Sequence, residues 1–419
     1  MKLFQTYLNK NASGDSLIQT EPENGLKYIV VIPAYIETRL NDSLVSIFNA
    51  TPPDSPVEVI VLINWPEDES QENIKLSKEI SESAKNFAAS HSSPKFKIHV
   101  IEAASIPRKK AGVGYARKTG MDEAIRRFER SQQENGIIIS FDADTQCEQN
   151  YVLAIEQHFE KFPGTDGCSI YFEHPLSGED YKSNVYTAIT QYELHMRYYL
   201  HAVKYSGFPN AFYTVGSAFA VRAESYCKQG GMNARQAGED FYFLQKFFDL
   251  GNFTDLLSTT IKPSPRPSLR VPFGTGKAVV QILESGGGLH SYNPEIFKML
   301  KVLFEKIPEF YTSLSTFKEP NFADLPSCLH DFLQSLNIIS ELKNIFENSG
   351  SLPAFEKRFY RYFNMFRILK FARFARNFFP DLPVKTCAES LFQMSEIQFQ
   401  ENLTERELLV IFREIDRNS

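Results

Sequence analysis

Gly136-Ile137-Ile138-Ile139-Ser140-Phe141-Asp142-Ala143-Asp144 decides how this chain reads. A short β-branched run that ends in two carboxylates flanking a small residue predicts a buried parallel strand carrying acids at its carboxyl end. Three runs of the same kind precede it: Tyr28-Ile29-Val30-Val31-Ile32, stopped by Pro33, then Val57 to Ile63, then Lys97 to Ile101. Between them, residues 41–49, 69–90 and 111–133 read as helices, the first with Asn41 or Asp42 as a candidate cap. Strands alternating with helices predict an α/β layer: a mostly parallel sheet flanked by helices. Ligands bind beyond the carboxyl ends of the strands in such sheets. The stretches to read for chemistry are therefore 33–35, 64–65, 102–110 and 142–144.

Downstream, 150–161, 183–205 and 239–250 read as helices, and 167–173 and 214–222 as strands. A Pro- and Gly-rich loop fills 263–276, and Gly286-Gly287-Gly288 marks a joint. Beyond Pro294 the strand pattern stops and the chain becomes helical and aromatic. This divides the chain into a lead-in (1–26), an α/β domain (27–290) and a helical C-terminal domain (291–419).

Composition narrows the function. Lys and Arg number 45 against 51 Asp and Glu, a net charge of −6, which speaks against a general nucleic-acid binder. At 42% hydrophobic and 23% charged residues the chain is neither disordered nor a rod. Five cysteines, an odd number with no C-x-x-C, argue against a disulfide framework or a structural zinc and for a reducing compartment. Residues 1–14 lack the apolar stretch of a signal peptide, and no apolar run reaches the length of a membrane span. The expected location is the cytoplasm. A basic, aromatic segment at 355–379 adds peripheral contact with the inner face of a membrane as one use of that segment. Its other use is ordinary packing, since Phe355, Phe359, Tyr362, Phe363, Phe366 and Leu369 recur at helical spacing.

Three constellations carry chemistry. Asp142 and Asp144, directly after a strand, suit a hard cation such as Mn²⁺ or Mg²⁺; the plain alternative is a solvated turn. Glu239 and Asp240 follow Gly238 at the start of a helix, where acids complement the dipole and where a general base could also stand. Gly216-Ser217-Ala218, with Gly230-Gly231-Met232 after it, admits a close ligand or simply tight strand packing.

Taken together, Lys27 to Glu37, Glu58 to Asn64, Phe141 to Asp144 and Gly216 to Asp240 resemble a GT-A glycosyltransferase, nearest to family 2 of that group. The resemblance implies a GT-A, Rossmann-like nucleotide-binding fold and transfer of a sugar from a nucleotide-diphospho-sugar to an acceptor hydroxyl. It implies that Pro33 and Tyr35 hold the base and ribose, and that Arg117, in Ala116-Arg117-Lys118-Thr119-Gly120, lies near the base and pyrophosphate. Asp142 would contact ribose or a metal-bound water. Asp144 would bind the metal, with the late His290 as a further candidate ligand. Gly216 and Ser217 would line the acceptor side. Asp240 would be the base of an inverting displacement, with Glu239 orienting the acceptor.

Two departures accompany the resemblance. Asn64 stands where an Asp pair is usual, and it keeps an acceptor oxygen without the charge. The Q-x-x-R-W element of processive synthases is missing, which argues against a polymerase. A retaining GT-A transferase, a sugar-nucleotidyltransferase and an inactive GT-A scaffold are the alternatives. Arg108-Lys109-Lys110 and the loop arginines Arg266 and Arg270 are further cations that could reach a diphosphate.

Overall fold

The four apolar runs become β1 (Tyr28–Ala34), β2 (Val57–Pro66), β3 (Phe96–Ile106) and β4 (Ile137–Ser140). The sheet continues with β5 (Gln146–Cys147), β6 (Gly167–Phe172), β7 (Phe219–Arg222) and β8 (Phe253–Lys262). The computed structural model describes residues 1–419 apart from 13, 236–237, 271–273 and 287. The strand order is β3-β2-β1-β4-β7-β6-β8-β5. Strand β1 lies parallel to both β2 and β4, β2 to β3, and β6 to β8, while β7 and β5 run against their neighbours. The fold is thus α/β with a mostly parallel sheet. The strand order reverses at β1 and β4, the kind of switch point where a crevice opens beyond the strand ends.

Helices α1 (Lys2–Asn11), α2 (Leu40–Phe48), α3 (Gln71–His91), α4 (Val113–Arg130), α5 (Tyr151–Lys161), α6 (Ser183–Tyr205), α7 (Ala223–Lys228), α8 (Glu239–Phe248) and α9 (Thr275–Ser285) accompany the sheet in the chain. All seven residues of β1 are buried, as its β-branched run requires. Strand β2 buries a charge, Glu58, because Arg127 of α4 meets it: Arg127 Nε donates to Glu58 Oε2 at 2.7 Å, and Nη2 donates to Oε1. This fork–fork pair explains a carboxylate in an otherwise apolar strand.

The chain's contacts divide it into two units. The first comprises Met1–Tyr186, Phe212–Gln281 and Ser419; the second comprises Thr187–Ala211 and Ile282–Asn418. Residues 1–26, expected only to lead in, enter the first core through Phe4, Tyr7, Ile18 and Leu26. The Tyr7 and Tyr226 hydroxyls both donate to Asp122 Oδ1, at 2.7 and 2.8 Å, and Lys118 Nζ donates to Oδ2 at 2.6 Å. Gly231 is part of this packing: with φ at +70°, a Cβ there would stand 2.0 Å from the Tyr7 hydroxyl. That glycine makes room for a phenol, so the packing alternative accounts for it.

The second unit is helical: α10 (Glu295–Glu305), α11 (Ile307–Ser315), α12 (Ser327–Ser335), α13 (Ile338–Glu347), α14 (Leu352–Tyr362), α15 (Met365–Ala375), α16 (Val384–Met394) and α17 (Glu405–Arg417). A two-residue ribbon, β9 (His290–Ser291) with β10 (Leu382–Pro383), closes it. The 355–379 segment is two helices broken at Phe363 and Asn364, where Asn364 caps α15. Phe355 and Phe359 are buried as the spacing predicts. After the break the buried positions shift to Ile368, Phe371 and Ala372. Phe304 and Phe332 of the same unit pack on these rings. Strand β8 was missed by the sequence reading because Ser258-Thr259-Thr260 interrupts its apolar run. Its burial is irregular too, and its register with β6 shifts between Ile170 and Phe172. In the Gly joint, Gly287 lies outside the described residues. No helix among the described residues is long and apolar enough to cross a membrane.

Candidate active site

Three arginines organise the carboxyl ends of β1 and β4, one as a hub and two as a cluster. Arg117, from the start of α4, is only 2% exposed. Its Nη2 donates to Asp142 Oδ1 at 2.8 Å and its Nε to Glu239 Oε1 at 3.2 Å. Its Nη1 donates to the Ser140 hydroxyl at 2.6 Å and to the Gly216 carbonyl at 3.0 Å. Burial alone would lower its affinity for the proton, but Asp142 and Glu239 outweigh that and hold it above the ordinary arginine value. One side chain thus ties the end of β4, the turn before β7 and the start of α8 together.

Gly216 and Asp240 sit against this hub. A Cβ on Gly216 would lie 2.9 Å from Arg117 Nη2 and 3.2 Å from Asp240 Oδ2, so the two side chains leave no room for one. The expected strand at 214–222 begins only at Phe219, because the Gly216 carbonyl serves Arg117 and Ser140. Ser217 beside it is buried, its hydroxyl without a partner among the described residues. Asp240 stands in the first turn of α8, which Gly238 opens in a left-handed conformation. Burial first, then the Glu239 charge, push Asp240 up to about 7, with Arg117 acting against them.

Arg266 and Arg270 form the cluster, which joins the loop after β8 to the loop after β1 and to Asp144. Arg266 Nη2 donates to Glu37 Oε2 at 2.6 Å and to Asp144 Oδ2 at 2.9 Å. Arg270 Nη1 donates to the same Glu37 oxygen at 3.0 Å and to the Tyr35 carbonyl at 3.0 Å. Its Nη2 reaches the Ile36 carbonyl at 2.7 Å. Ile36 has φ at +49°, a left-handed conformation that is strained for a β-branched residue. Burial, then the charges of Glu37 and Asp142, raise Asp144 to about 6, while Arg266 opposes the rise. A small cleft, open to solvent, adjoins Asp144 and is lined by Arg39, Asp42, Tyr181, Tyr186 and Lys262 among others.

The remaining sequence candidates fall as follows. Pro33 is buried in β1. The Tyr35 hydroxyl donates to Glu69 at 2.6 Å, and burial together with that carboxylate raises it to about 12. Asn64 is buried and its Nδ2 donates to the Gly112 carbonyl at 3.3 Å, next to the start of α4. His290 belongs to the second unit, where its backbone pairs with Pro383. Glu37 and Ser140 are site residues that the sequence reading did not single out. Glu37 ends the matched opening segment, and its place in the loop after β1 was the available signal. Nothing in the sequence points Ser140 at an arginine.

The carboxylates suit a divalent ion in one respect and not in another. Asp142, Asp144 and Glu37 supply hard oxygens of the kind a divalent ion takes. Among the described residues, however, no set of three or more His, Cys, Asp or Glu is arranged to hold a metal unaided. The donor set therefore fits an ion that arrives with phosphate oxygens of its own, the usual habit of Mg²⁺.

No protein-family model matches the chain, and no curated protein matches it. Among solved structures, S. aureus TarS 1–349 in complex with UDP-GlcNAc is similar at 13% identity and a TM-score of 0.38, over 94% of this chain and 88% of that one. TarS 1–349 with UDP gives 14% and 0.39, over 81% and 92%. GalNAc-T7 with UDP, GalNAc and Mn²⁺ gives 15% and 0.37, over 62% of this chain and 48% of that one. Likeness at these levels carries no argument about chemistry, which rests on the chain's own residues.

Proposed function

We propose that the chain is a glycosyltransferase that moves a sugar from a nucleotide-diphospho-sugar to an acceptor hydroxyl with inversion. The observation that carries this reading is the Arg117 hub. It gathers Asp142, Gly216 and Glu239, with Asp240 alongside, at the switch point of a mostly parallel sheet. These segments are far apart in sequence and are the ones that resemble the GT-A group.

In this reading Pro33, Tyr35 and Asn64 flank the nucleotide on the β1–β2 side. Asp144, with Asp142 close by, would hold Mn²⁺ or Mg²⁺, which when bound supplies positive charge to the departing diphosphate. Asp240 takes the proton of the acceptor hydroxyl as its oxygen attacks the anomeric carbon. The bond from that carbon to the diphosphate breaks, and its electron pair leaves with the phosphate. Glu239, held by Arg117, orients the acceptor. The absence of a side chain at Gly216 lets Arg117 and Asp240 pack against its backbone, and in this reading the acceptor approaches along the cleft beside Tyr181 and Tyr186. A base near neutral pKa is matched to this task.

The test is Asp240→Asn, assayed for transfer and, separately, for donor binding in Mn²⁺. Turnover is expected to fall by on the order of 10²–10⁴ while donor affinity stays within a few-fold. In the unaltered protein kcat/KM should drop about tenfold per pH unit below the Asp240 pKa near 7, and the variant should lose that limb. Near-normal transfer by Asp240→Asn removes Asp240 as the base; loss of donor binding moves it to the nucleotide site.

A further inference from the structure

One nitrogen, Arg266 Nη2, bridges Glu37 Oε2 and Asp144 Oδ2, at 2.6 and 2.9 Å. We infer that this nitrogen occupies the position of the divalent cation, that Glu37 is the partner of Asp144 in binding it, and that cation binding and release of the Arg266–Arg270 clasp are one linked exchange. The inference deepens the reading of Asp144 as a cation ligand and rests on it.

Asp142 is the obvious partner by sequence, yet its Oδ1 is taken by Arg117, a side chain buried beneath it. Glu37 has its Oε2 on the same nitrogen as Asp144, and its side chain is only 5% exposed. Carboxylate oxygens already converged on one small cation would need to close by less than about 1 Å to reach the roughly 2.1 Å of a Mg²⁺–oxygen contact.

Charge sets the direction of the exchange. Glu37 and Asp144 are balanced by Arg266 and Arg270. A divalent ion added to the closed clasp would place four positive charges against two negative ones. The ion enters well only when the guanidinium forks swing away or when it brings phosphate with it. Once displaced, Arg266 and Arg270 become two unpaired cations beside the site, and a guanidinium fork fits phosphate oxygens. The clasp therefore discourages a bare ion and favours one carrying a diphosphate. Closure also holds the strained turn at Ile36, whose carbonyl accepts from Arg270.

The size of the effect follows from population. If the clasp is closed in nine molecules of ten, the apparent affinity for Mn²⁺ alone is about tenfold weaker than that of the open site. The experiment titrates Mn²⁺ alone, followed by electron paramagnetic resonance, into the full chain and into the double variant Arg266→Gln, Arg270→Gln. The variant is expected to bind about tenfold tighter, and adding Asp144→Asn or Glu37→Gln to it should abolish the gain. Equal or weaker binding by the double variant overturns the exchange, as does a gain that survives loss of either carboxylate. A second measurement uses the unaltered protein and is independent of how the variants fold. Trypsin can cut after Arg270 but resists Arg266, which precedes Pro267. Saturating Mn²⁺ should speed the cut after Arg270 several-fold, and an unchanged rate also overturns the proposal. Neither readout requires sugar transfer. A chain that passes both and transfers no sugar would retain the exchange and lose the glycosyltransferase reading.

Discussion

Asp240 shows at the scale of one side chain how a site trades stability for chemistry. The folded protein raises its pKa from 3.8 to about 7, so the native state holds that proton more tightly than the unfolded chain does. The stabilisation from this is full below the unfolded value and is lost as pH rises through the folded one. Ionised Asp240, the form that the proposed mechanism uses as base, is therefore the form that costs folding energy. Asp240→Asn should raise the melting temperature, by more at pH 8.5 than at pH 5.5, in parallel thermal scans. A gain that is equal at both pH values would show that the carboxylate does not titrate in this window. The motif residues were legible because each has a type and a place: acids after β4 and at the start of α8, an arginine in α4. Their grouping was not legible, since the partners of Arg117 (Ser140 and Asp142, Gly216, and Glu239) come from three separate segments. Glu37 was hidden because a carboxylate in a loop carries no mark of the arginines that will reach it.

Among the elements, β2 and α4 carry the sharpest energetic statement. Glu58 and Arg127 are 1% and 0% exposed, and each is the other's principal counter-charge. Glu58→Gln leaves a buried guanidinium without its charge partner, which should cost about 3–5 kcal/mol in urea unfolding. Replacing both together, Glu58→Leu with Arg127→Met, should recover most of that loss. A small cost for Glu58→Gln alone would mean that water reaches the pair. The parallel strands were readable because burial on both faces writes itself as unbroken Val and Ile. Strand β8 was not, because its serine and threonines pack at an irregular register that composition does not show. Across 355–379 the helical period was extended through Asn364, where the chain starts a new helix and resets the phase of its apolar face.

The whole molecule does not divide along a single cut. The sequence marks where strands stop, near 290, yet Thr187–Ala211 packs with the chain that follows Ile282. Arg197 is fully buried between Glu193 of its own helix and Asp416, and Arg413 also reaches Glu193, at 2.7 Å. The Tyr198 hydroxyl donates to the Tyr292 carbonyl at 2.6 Å. A chain ended after 290 would strand these partners inside α6. It should be recovered aggregated or with a broad, early melting transition, whereas a cooperative fold of normal stability would show that α6 stands without them. No periodicity in residues 183–205 announces this, because the helix runs on without a break at Thr187.

The same arrangement sets a timetable for the nascent chain. Arg197 leaves the ribosome long before Asp416 exists, and the closing partner arrives 219 residues later. At ordinary elongation rates of 5–20 residues per second, that interval is roughly ten to forty seconds. For that period Arg197 lacks its closing carboxylate, although Tyr292 and Phe297 arrive earlier to pack on Tyr198 and Tyr199. The Arg197–Asp416 pairing is therefore made late, and a helical unit that lacks it is the stage of folding at which exposed apolar surface favours aggregation.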